Sequence, residues 1–379
     1  MALAVAGATS CVYDDEPQEQ PEGPEQTLLS MSLSMPMAQA ETGTPDGYVA
    51  GNENENYLDI PNDNYRIYFF DKEDKYITRF VPMGVYPTNE ERTEYEVLGL
   101  TPADIMDLTD FKVVMLANWA AYPEPVAGST TTSDLCEAAE AQYASCLTKT
   151  ETDAATDQNL VTSIGPDIAT GKLIPFFGLH HYTGVNIVKG KRTELNEPIA
   201  MLRAMAKIEV IVDVKGVSVT DIGLRGYNDN GYCAPAGIVE HGDYDHSGNW
   251  NLDYVKTPHL IEGVNETDSE KRFMHLLRRT EKAADGTSTE KWIAYVPEYR
   301  NTGAGDYKSR IEFKLDIQDT LHEIYFADYN TDGKINENPA YHDILRNNCY
   351  RFTVTLKGGI LIIKTEQWEN AYDNKFTFE

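Results

Sequence analysis

Residues 28–37 read LLSMSLSMPM, so that Leu29, Met31, Leu33, Met35 and Met37 are separated by Ser30, Ser32, Ser34 and Pro36. Alternation of period two is the signature of a β-strand that buries one face. Pro36 has no N–H to give to a ladder, so this strand, or at least its end, is expected on a sheet edge.

Immediately upstream, residues 12–26 (VYDDEPQEQPEGPEQ) are rich in Pro and acidic groups with little that can pack, which makes them a solvated tether. Ahead of the tether, Met1–Ser10 (MALAVAGATS) is small, apolar and uncharged, and runs into Cys11. Residues 1–11 read as the remnant of a secretory signal whose basic start lies upstream. Ala8, Thr9 and Ser10 before Cys11 match a lipoprotein signal-peptidase site, where the thiol takes a palmitate-type lipid and becomes the mature N-terminus. The plainer alternative is a frayed tail with an incidental Cys. Acyl chains contribute about 0.8 kcal/mol per buried CH₂, enough for two or more to hold a protein on a membrane. No run of about 18 apolar residues occurs that could span one as a helix.

Downstream, beyond a Gly/Asn/Glu-rich link at 41–56, strands are expected at Tyr65–Phe70, Tyr76–Val81, Thr93–Leu98 and Phe111–Asn118. Residues 134–150 (DLCEAAEAQYASCLTKT) are Ala/Glu-rich with Asp134 as N-cap, and form the expected helical insertion. Residues 151–171 read as a polar loop. A polar link at Asn196–Pro198 precedes a second strand-rich half, with strands at Lys207–Val214, Ser218–Leu224, Trp292–Pro297, Arg310–Asp316, Ile324–Tyr329, Tyr350–Leu356 and Ile360–Lys364. The charged stretch 268–283 reads as a short helix. Short strands with turn signals and little helix imply an all-β chain of antiparallel β-sandwiches, divided into 27–199 and 200–379.

The composition bounds the function. Across 379 residues, Lys+Arg is 32 and Asp+Glu is 61, a formal charge of −29. Such a surface repels phosphate backbones, whose binding needs clustered Lys and Arg, so nucleic acid is excluded as a partner. Hydrophobic residues make up 41% with 23 Tyr, 12 Phe and 4 Trp, too much large apolar surface for a disordered acidic chain. Besides Cys11 there are Cys136, Cys146, Cys233 and Cys349, with no CxxC pair to indicate a zinc ribbon or a redox motif. An exported location permits a Cys136–Cys146 disulfide, while buried free thiols suit most of these positions.

Local motifs carry little chemistry. Asp328, Asn330, Asp332 and Gly333 match positions 1, 3, 5 and 6 of an EF-hand loop, but position 12 is Pro339. A hairpin turn at Asp332-Gly333 accounts for the same residues, and the calcium reading is weak. Glu240, His241, Asp243, Asp245 and His246 crowd one loop-like segment and His180-His181 form a pair, yet neither has zinc-helix spacing. No metal and no cofactor is expected. GxSxG, P-loop and GxGxxG elements are absent from the sequence, and a glycosidase carboxylate pair is not recognisable among so many acids. Trp119, Tyr122, Trp250 and Tyr254 fall in loop-like contexts, where they either stack on sugars or pack at a domain junction.

Several phrases in order resemble the fimbrillin family, lipoprotein-derived subunits of type V pili in Gram-negative anaerobes. They are Tyr68-Phe69-Phe70-Asp71, Ile174-Pro175-Phe176-Phe177-Gly178, residues 202–210 (LRAMAKIEV), residues 295–299 (YVPEY), residues 345–354 (LRNNCYRFTV) and the closing Trp368-Glu369. Together they span nearly the whole chain. The resemblance implies two tandem transthyretin-like sandwich domains, no enzymatic activity, other fimbrillin-type subunits as partners, and a place on the outer membrane as part of an adhesive fimbria. It also implies strand exchange, in which a protease removes the first strand and a neighbour's strand fills its groove. The exchangeable strand is then Leu29, Met31, Leu33, Met35 and Met37, and a C-terminal donor would use Phe376 and Phe378. The alternative is a permanent first strand.

One departure bears on role. Processing after Arg or Lys needs such a residue behind the first strand, but none precedes Arg66, and twelve acidic residues lie between Cys11 and Arg66. This suits a subunit that keeps its strand and lipid and anchors the pilus base, unless another protease acts. The competing reading of the whole chain is a surface glycan-binding lipoprotein. Host or bacterial surface ligands fit either.

Overall fold

The computed structural model describes residues 26–35, 53–90, 92–132, 134, 147–153, 158–163, 173–228, 272–282, 288–301, 308–330, 333–335, 339–357 and 360–366. The described chain is almost entirely β. Its strands are β1 (Leu28–Ser34), β2 (Tyr65–Asp71), β3 (Tyr76–Phe80), β4 (Gly84–Pro87), β5 (Glu94–Leu100), β6 (Asp110–Ala117), β7 (Leu147–Asp153), β8 (Gln158–Ser163), β9 (Phe176–Thr183) and β10 (Arg192–Glu194). They continue with β11 (Ile199–Arg203), β12 (Met205–Asp213), β13 (Val219–Arg225), β14 (Arg272–His275), β15 (Leu277–Lys282), β16 (Ser288–Pro297), β17 (Arg310–Leu315), β18 (Gln318–Tyr325), β19 (Cys349–Lys357) and β20 (Ile360–Glu366).

Nine strands form the first sheet in the order β3-β2-β6-β9-β11-β1-β5-β4, with β10 also paired to β1. The sheet folds back on itself, since a side chain at Gly99 of β5 would meet the ring of Phe80 in β3 at 2.7 Å. Its two layers enclose one apolar core that includes Leu29, Met31, Leu33, Phe69, Phe80, Val97, Phe111, Met115 and Met201. A second core lies between the five-stranded sheet β15-β16-β12-β19-β20 and the six-stranded sheet β18-β17-β13-β14-β8-β7. Ile208, Val210 and Trp292 face Ile222, Leu224 and Phe313 there. Facing sheets sharing a core are the sandwich arrangement that alternating strands demand. Most pairings are antiparallel, but β1 runs parallel to β10 and β11, β12 to β19, and β14 to β8.

Four readings of the sequence need correction. The first strand is not at an edge: β1 pairs with β5 on one side and with β10 and β11 on the other. Pro36 and Met37 lie outside the described residues, and alternation reports which face is buried, not whether the strand has one neighbour or two. The Ala/Glu-rich segment does not continue as a helix to residue 150, because 147–150 belong to β7; residues 135–146, with Cys136 and Cys146, lie outside the described residues. Within 151–171, β7 and β8 make a hairpin that joins the sheet of the second core through β14. The charged stretch 272–282 is β14 and β15, its ladder bonds to β8, β13 and β16 overriding weak local preference.

The polar residues near Pro198 do not end the first sheet. It continues through β11 to Arg203, and after Ala204 the chain enters the second sheet as β12. A buried polar cluster stands at this passage. The short turn Glu53–Asn56 is its centre: Lys207 Nζ lies 3.0 Å from Glu55 Oε1, with side chains 3% and 1% exposed. The Tyr295 hydroxyl donates to the same carboxylate. The Arg203 guanidinium donates to the Glu55 carbonyl at 3.2 Å, to Asn347 Oδ1 at 2.9 Å and to Asn56 Oδ1. Asn347 adopts φ 55°, a left-handed conformation that Asn tolerates better than most residues. Nearby, Glu209 accepts from Arg351 at 3.0 Å and pairs with Lys291 at 3.2 Å, while Arg346 pairs with Glu298 at 2.7 Å.

Burial penalises the charged form of Lys207, but Glu55, Cys349 and Glu209 outweigh it and hold the ammonium above its ordinary pKa. Burial likewise raises Glu209, but Lys207, Arg351 and Lys291 outweigh it and pull the carboxyl below 4.5. Because the folded pKa of Glu209 is lowered, its contribution to stability is complete above pH 4.5 and is lost as pH falls through the folded value. Lys207→Met takes the ammonium away from the buried Glu55 carboxylate and is expected to cost about 3–5 kcal/mol in denaturant unfolding. A loss below about 1 kcal/mol, the range of a solvated surface pair, would show that the cluster does not hold the passage together.

Candidate functional site

The feature that sets this fold apart is the slot that holds β1. Leu29, Met31, Leu33 and Met35 are 0%, 1%, 1% and 3% exposed, so the apolar alternation in the sequence is a buried face. Fully burying such a side chain stabilises by about 1.5–3 kcal/mol. One rail of the slot is β5, antiparallel from Leu28↔Leu100 to Ser34↔Glu94. The other rail is broken: β10 pairs with Leu28–Ser30, β11 pairs with Leu33 and Ser34, and residues 195–198 form an arch between them that stays joined to β1 through the Leu195 N–H.

Backbone bonds close both ends. The N–H of Leu28 donates to the Lys191 carbonyl at 3.0 Å, Met35 to Thr93 at 2.7 Å, Thr101 to Thr27 at 3.0 Å and Leu195 to Ser30 at 2.9 Å. Ser30, on the polar side of the alternation, is buried too, and Arg192 Nε donates to its hydroxyl at 3.2 Å. Arg192 also pairs with Glu96, which bridges the two rails across β1. At the neighbouring strand, a side chain on Gly178 would meet Met201 Sδ at 2.4 Å and Ile199 Cγ2 at 2.8 Å, so glycine is what allows β9 and β11 to close up.

Chain order gives the slot its meaning. β1 is the first of the described strands yet lies in mid-sheet, so β5 on one side and β10 and β11 on the other would each present an unpaired edge without it. Arg66, the first basic residue, lies within β2, which pairs with β3 and β6, and its guanidinium donates to the carbonyls of Asp63 at 3.0 Å and Tyr65 at 2.7 Å. A protease needs an extended, free backbone, and at Arg66 the backbone is committed to the sheet.

The other sequence candidates fare differently. Cys11, Phe376 and Phe378 lie outside the described residues, as do Asp332, Trp250, Tyr254, Cys233 and the segment with Glu240, His241, Asp243, Asp245 and His246. Around the calcium candidate, Asp328 meets His342 at 2.9 Å and Asn330 Oδ1 accepts the Lys334 N–H at 3.0 Å. With Gly333 at φ 69° and a Tyr329↔Ile335 bridge, the described part is a chain reversal whose side chains serve the turn. Trp119 is not an exposed platform: it is 2% exposed and its indole donates to the Phe176 carbonyl at 2.8 Å. Tyr122 packs against the first core, its hydroxyl bonded to Asn64. Cys349 is a buried free thiol that burial pushes far above its ordinary pKa.

His180 and His181, read as a bare pair in the sequence, sit on β9 beside the arch at 195–198, and both are buried. His181 Nε2 lies 2.5 Å from Asp110 Oδ1. Burial, aided by His181, pushes the His180 imidazole down to about 4. Among the described residues no three or more His, Cys, Asp or Glu are grouped to hold a metal, and no helix is long and apolar enough to cross a membrane.

No protein-family model matches this chain, and no curated protein does. Among solved structures, it is similar to the tip fimbrial protein Mfa3 from Porphyromonas gingivalis, with TM-score 0.48 and 12% identity over 90% of this chain and 98% of that one. It is also similar to a candidate cell adhesion protein from Bacteroides eggerthii, with TM-score 0.40 and 13% identity over 91% and 97% of the two chains. A third is the fimbrial anchor protein Mfa2 from Porphyromonas gingivalis, with TM-score 0.32 and 8% identity over 90% and 98%.

If β1 is the strand that completes the first core, Leu33→Ala is expected to destabilise the chain by about 2–5 kcal/mol. Met83→Ser, at a side chain 64% exposed, serves as the control and should change stability by less than about 0.5 kcal/mol. Equal effects from the two variants in denaturant titrations would mean that β1 is not part of the cooperative unit.

Proposed function

We propose that this chain is a non-catalytic structural component of a cell-surface fimbria, built as two tandem β-sandwich units that meet near Ala204. Its first strand occupies the slot through which such subunits join. The observation that carries the reading is β1 itself: paired on both sides, buried on its apolar face, yet adjacent to the N-terminal segment. Strand addition needs main-chain partners on the rails and pockets at alternate positions, and the slot offers both. The order of fimbrillin-like phrases along the chain supports the same reading.

Within that reading the chain is an anchor. With no Lys or Arg before Arg66, a trypsin-like protease has no site between β1 and the sheet, so β1 stays and the slot accepts no donor. Lipid on Cys11 and the acidic tether at 12–26 hold the protein on the outer membrane. The C-terminal segment, in which Phe376 and Phe378 alternate with Thr377, is offered to a neighbouring subunit. Of the four aromatics that suit the glycan-binding alternative, Trp119 is buried.

N-terminal chemistry of the surface-assembled protein tests the proposal. Lipid-modified Cys11 as the first residue is the expected result, with Cys11→Ala released from membranes. A first residue between 40 and 66 would replace the anchor role by that of a processed subunit. Retention of the whole N-terminus in a protein that co-purifies with no other fimbrial subunit would overturn the fimbrial reading altogether.

A further inference from the structure

Leu29, Met31, Leu33 and Met35 bury β1 in its slot, but their order does not say which of them enters which pocket. Residues 28–37 read LLSMSLSMPM, so a shift of two residues that moves Met31 into the place of Leu29 also moves Leu33 into that of Met31, Met35 into that of Leu33 and Met37 into that of Met35. Every pocket is refilled with Leu or Met, an exchange of similar volume that cores tolerate well. Ser32 takes the place of Ser30 beside Arg192. Burial therefore sets the register of β1 only to within a step of two.

The ends of the strand break the tie. Odd positions turn their backbone groups to β5: the Thr27 carbonyl accepts from Thr101 at 3.0 Å and the Met35 N–H donates to Thr93 at 2.7 Å. Even positions turn theirs to the other rail: the Leu28 N–H donates to Lys191 at 3.0 Å and the Ser30 carbonyl accepts from Leu195 at 2.9 Å. Any residue but proline can make such backbone bonds, so they do not tell one register from the other. The half-buried Thr27 adds a bond from its side chain, whose hydroxyl accepts the Gly190 N–H at 2.9 Å. Gly190, at φ 75°, belongs to a turn in which the Lys191 N–H donates to Val188 at 3.1 Å, so its own N–H is held in place. In the shifted register Leu29 stands where Thr27 stood, and Gly190 loses its acceptor. At the other end Pro36 stands in the place of Ser34, an even position opposite Ala200 of β11, with no N–H to give. We infer that Thr27 sets the register of the strand in the slot, with Pro36 as the stop at the far end. The slot thus reads a strand by a hydroxyl two places ahead of its first buried apolar side chain. The lock does not depend on the fimbrial reading; on that reading, it names the chemistry a strand carries to lie in this slot as β1 does.

Disulfide trapping in the full chain tests it. Ser34 lies opposite Glu94 in the observed register and opposite Glu96 in the shifted one. Even positions do not bond to β5, and in such pairs the Cα atoms are about 4.5 Å apart, which a disulfide can bridge. Ser34→Cys with Glu94→Cys is therefore expected to cross-link readily, and Ser34→Cys with Glu96→Cys poorly, with peptide mapping to separate these bonds from those of the native cysteines. Thr27→Val should raise the ratio of the second cross-link to the first about fivefold, the population change for one lost hydrogen bond. Adding Pro36→Ser should raise it further. Thr27→Ser keeps the hydroxyl and should leave the ratio unchanged, and so should Arg192→Gln, because a serine lies beside Arg192 in both registers. An unchanged ratio in the Thr27→Val, Pro36→Ser variant overturns the proposal, as does an equal rise in Arg192→Gln or the loss of both cross-links. None of these outcomes bears on which subunits the chain joins, which co-purification reads separately.

Discussion

The pairing of Lys207 with Glu55 is the constraint on which both cores hang. Both charges are out of water, which is unfavourable unless each is matched closely and its remaining donors and lone pairs are used. Here they are: Tyr295 takes part of the carboxylate, and Arg203 binds the carbonyl of the same residue. The turn Glu53–Asn56 is thereby gripped by the last residue of β11 and by the third residue of β12, while the Tyr95 hydroxyl of β5 donates to the Asn56 carbonyl at 3.0 Å. One turn of the chain thus touches β5 and β11 of the first sheet and β12 and β16 of the five-stranded sheet. Displacing it would expose two charges and several donors together, so the passage from one core to the other is specified as well as stabilised.

That clasp frames the behaviour of β1. The strand and the turn are joined by residues 36–52, so the turn fixes the chain that follows β1. Withdrawing four buried apolar side chains and breaking two ladders is too costly to happen spontaneously. The slot is therefore closed by its own strand, with register set, to within a step of two, by the alternate pockets.

The phrases that resemble fimbrillins acquire a physical explanation. Residues 202–210 contain Arg203, Lys207 and Glu209; residues 295–299 contain Tyr295 and Glu298; residues 345–354 contain Arg346, Asn347, Cys349 and Arg351. These are the members of the buried polar cluster and its neighbours. Such groups tolerate little substitution, because removing one leaves others buried without full compensation. Their presence in the sequence marks the passage between cores.

The all-β class, the buried face of β1 and most of the long strands are legible in the amino-acid order alone, because the pleat has a period of two and that period is written in adjacent residues. So is the position of Arg66 as the first basic residue. The order of residues does not reveal that β1 lies inside the sheet, that β8 pairs with β14 of the second core, or that His180 meets Glu197. Each of these is a pairing between residues far apart in the chain, and nothing local encodes which edge a strand will find. The charges of LRAMAKIEV carry no local sign of burial either: packing against Glu53–Asn56 turns Arg203 and Lys207 inward, and Arg351 and Lys291 do the same for Glu209. Tertiary structure decides those points, because burial of a charge is settled by the partner that meets it.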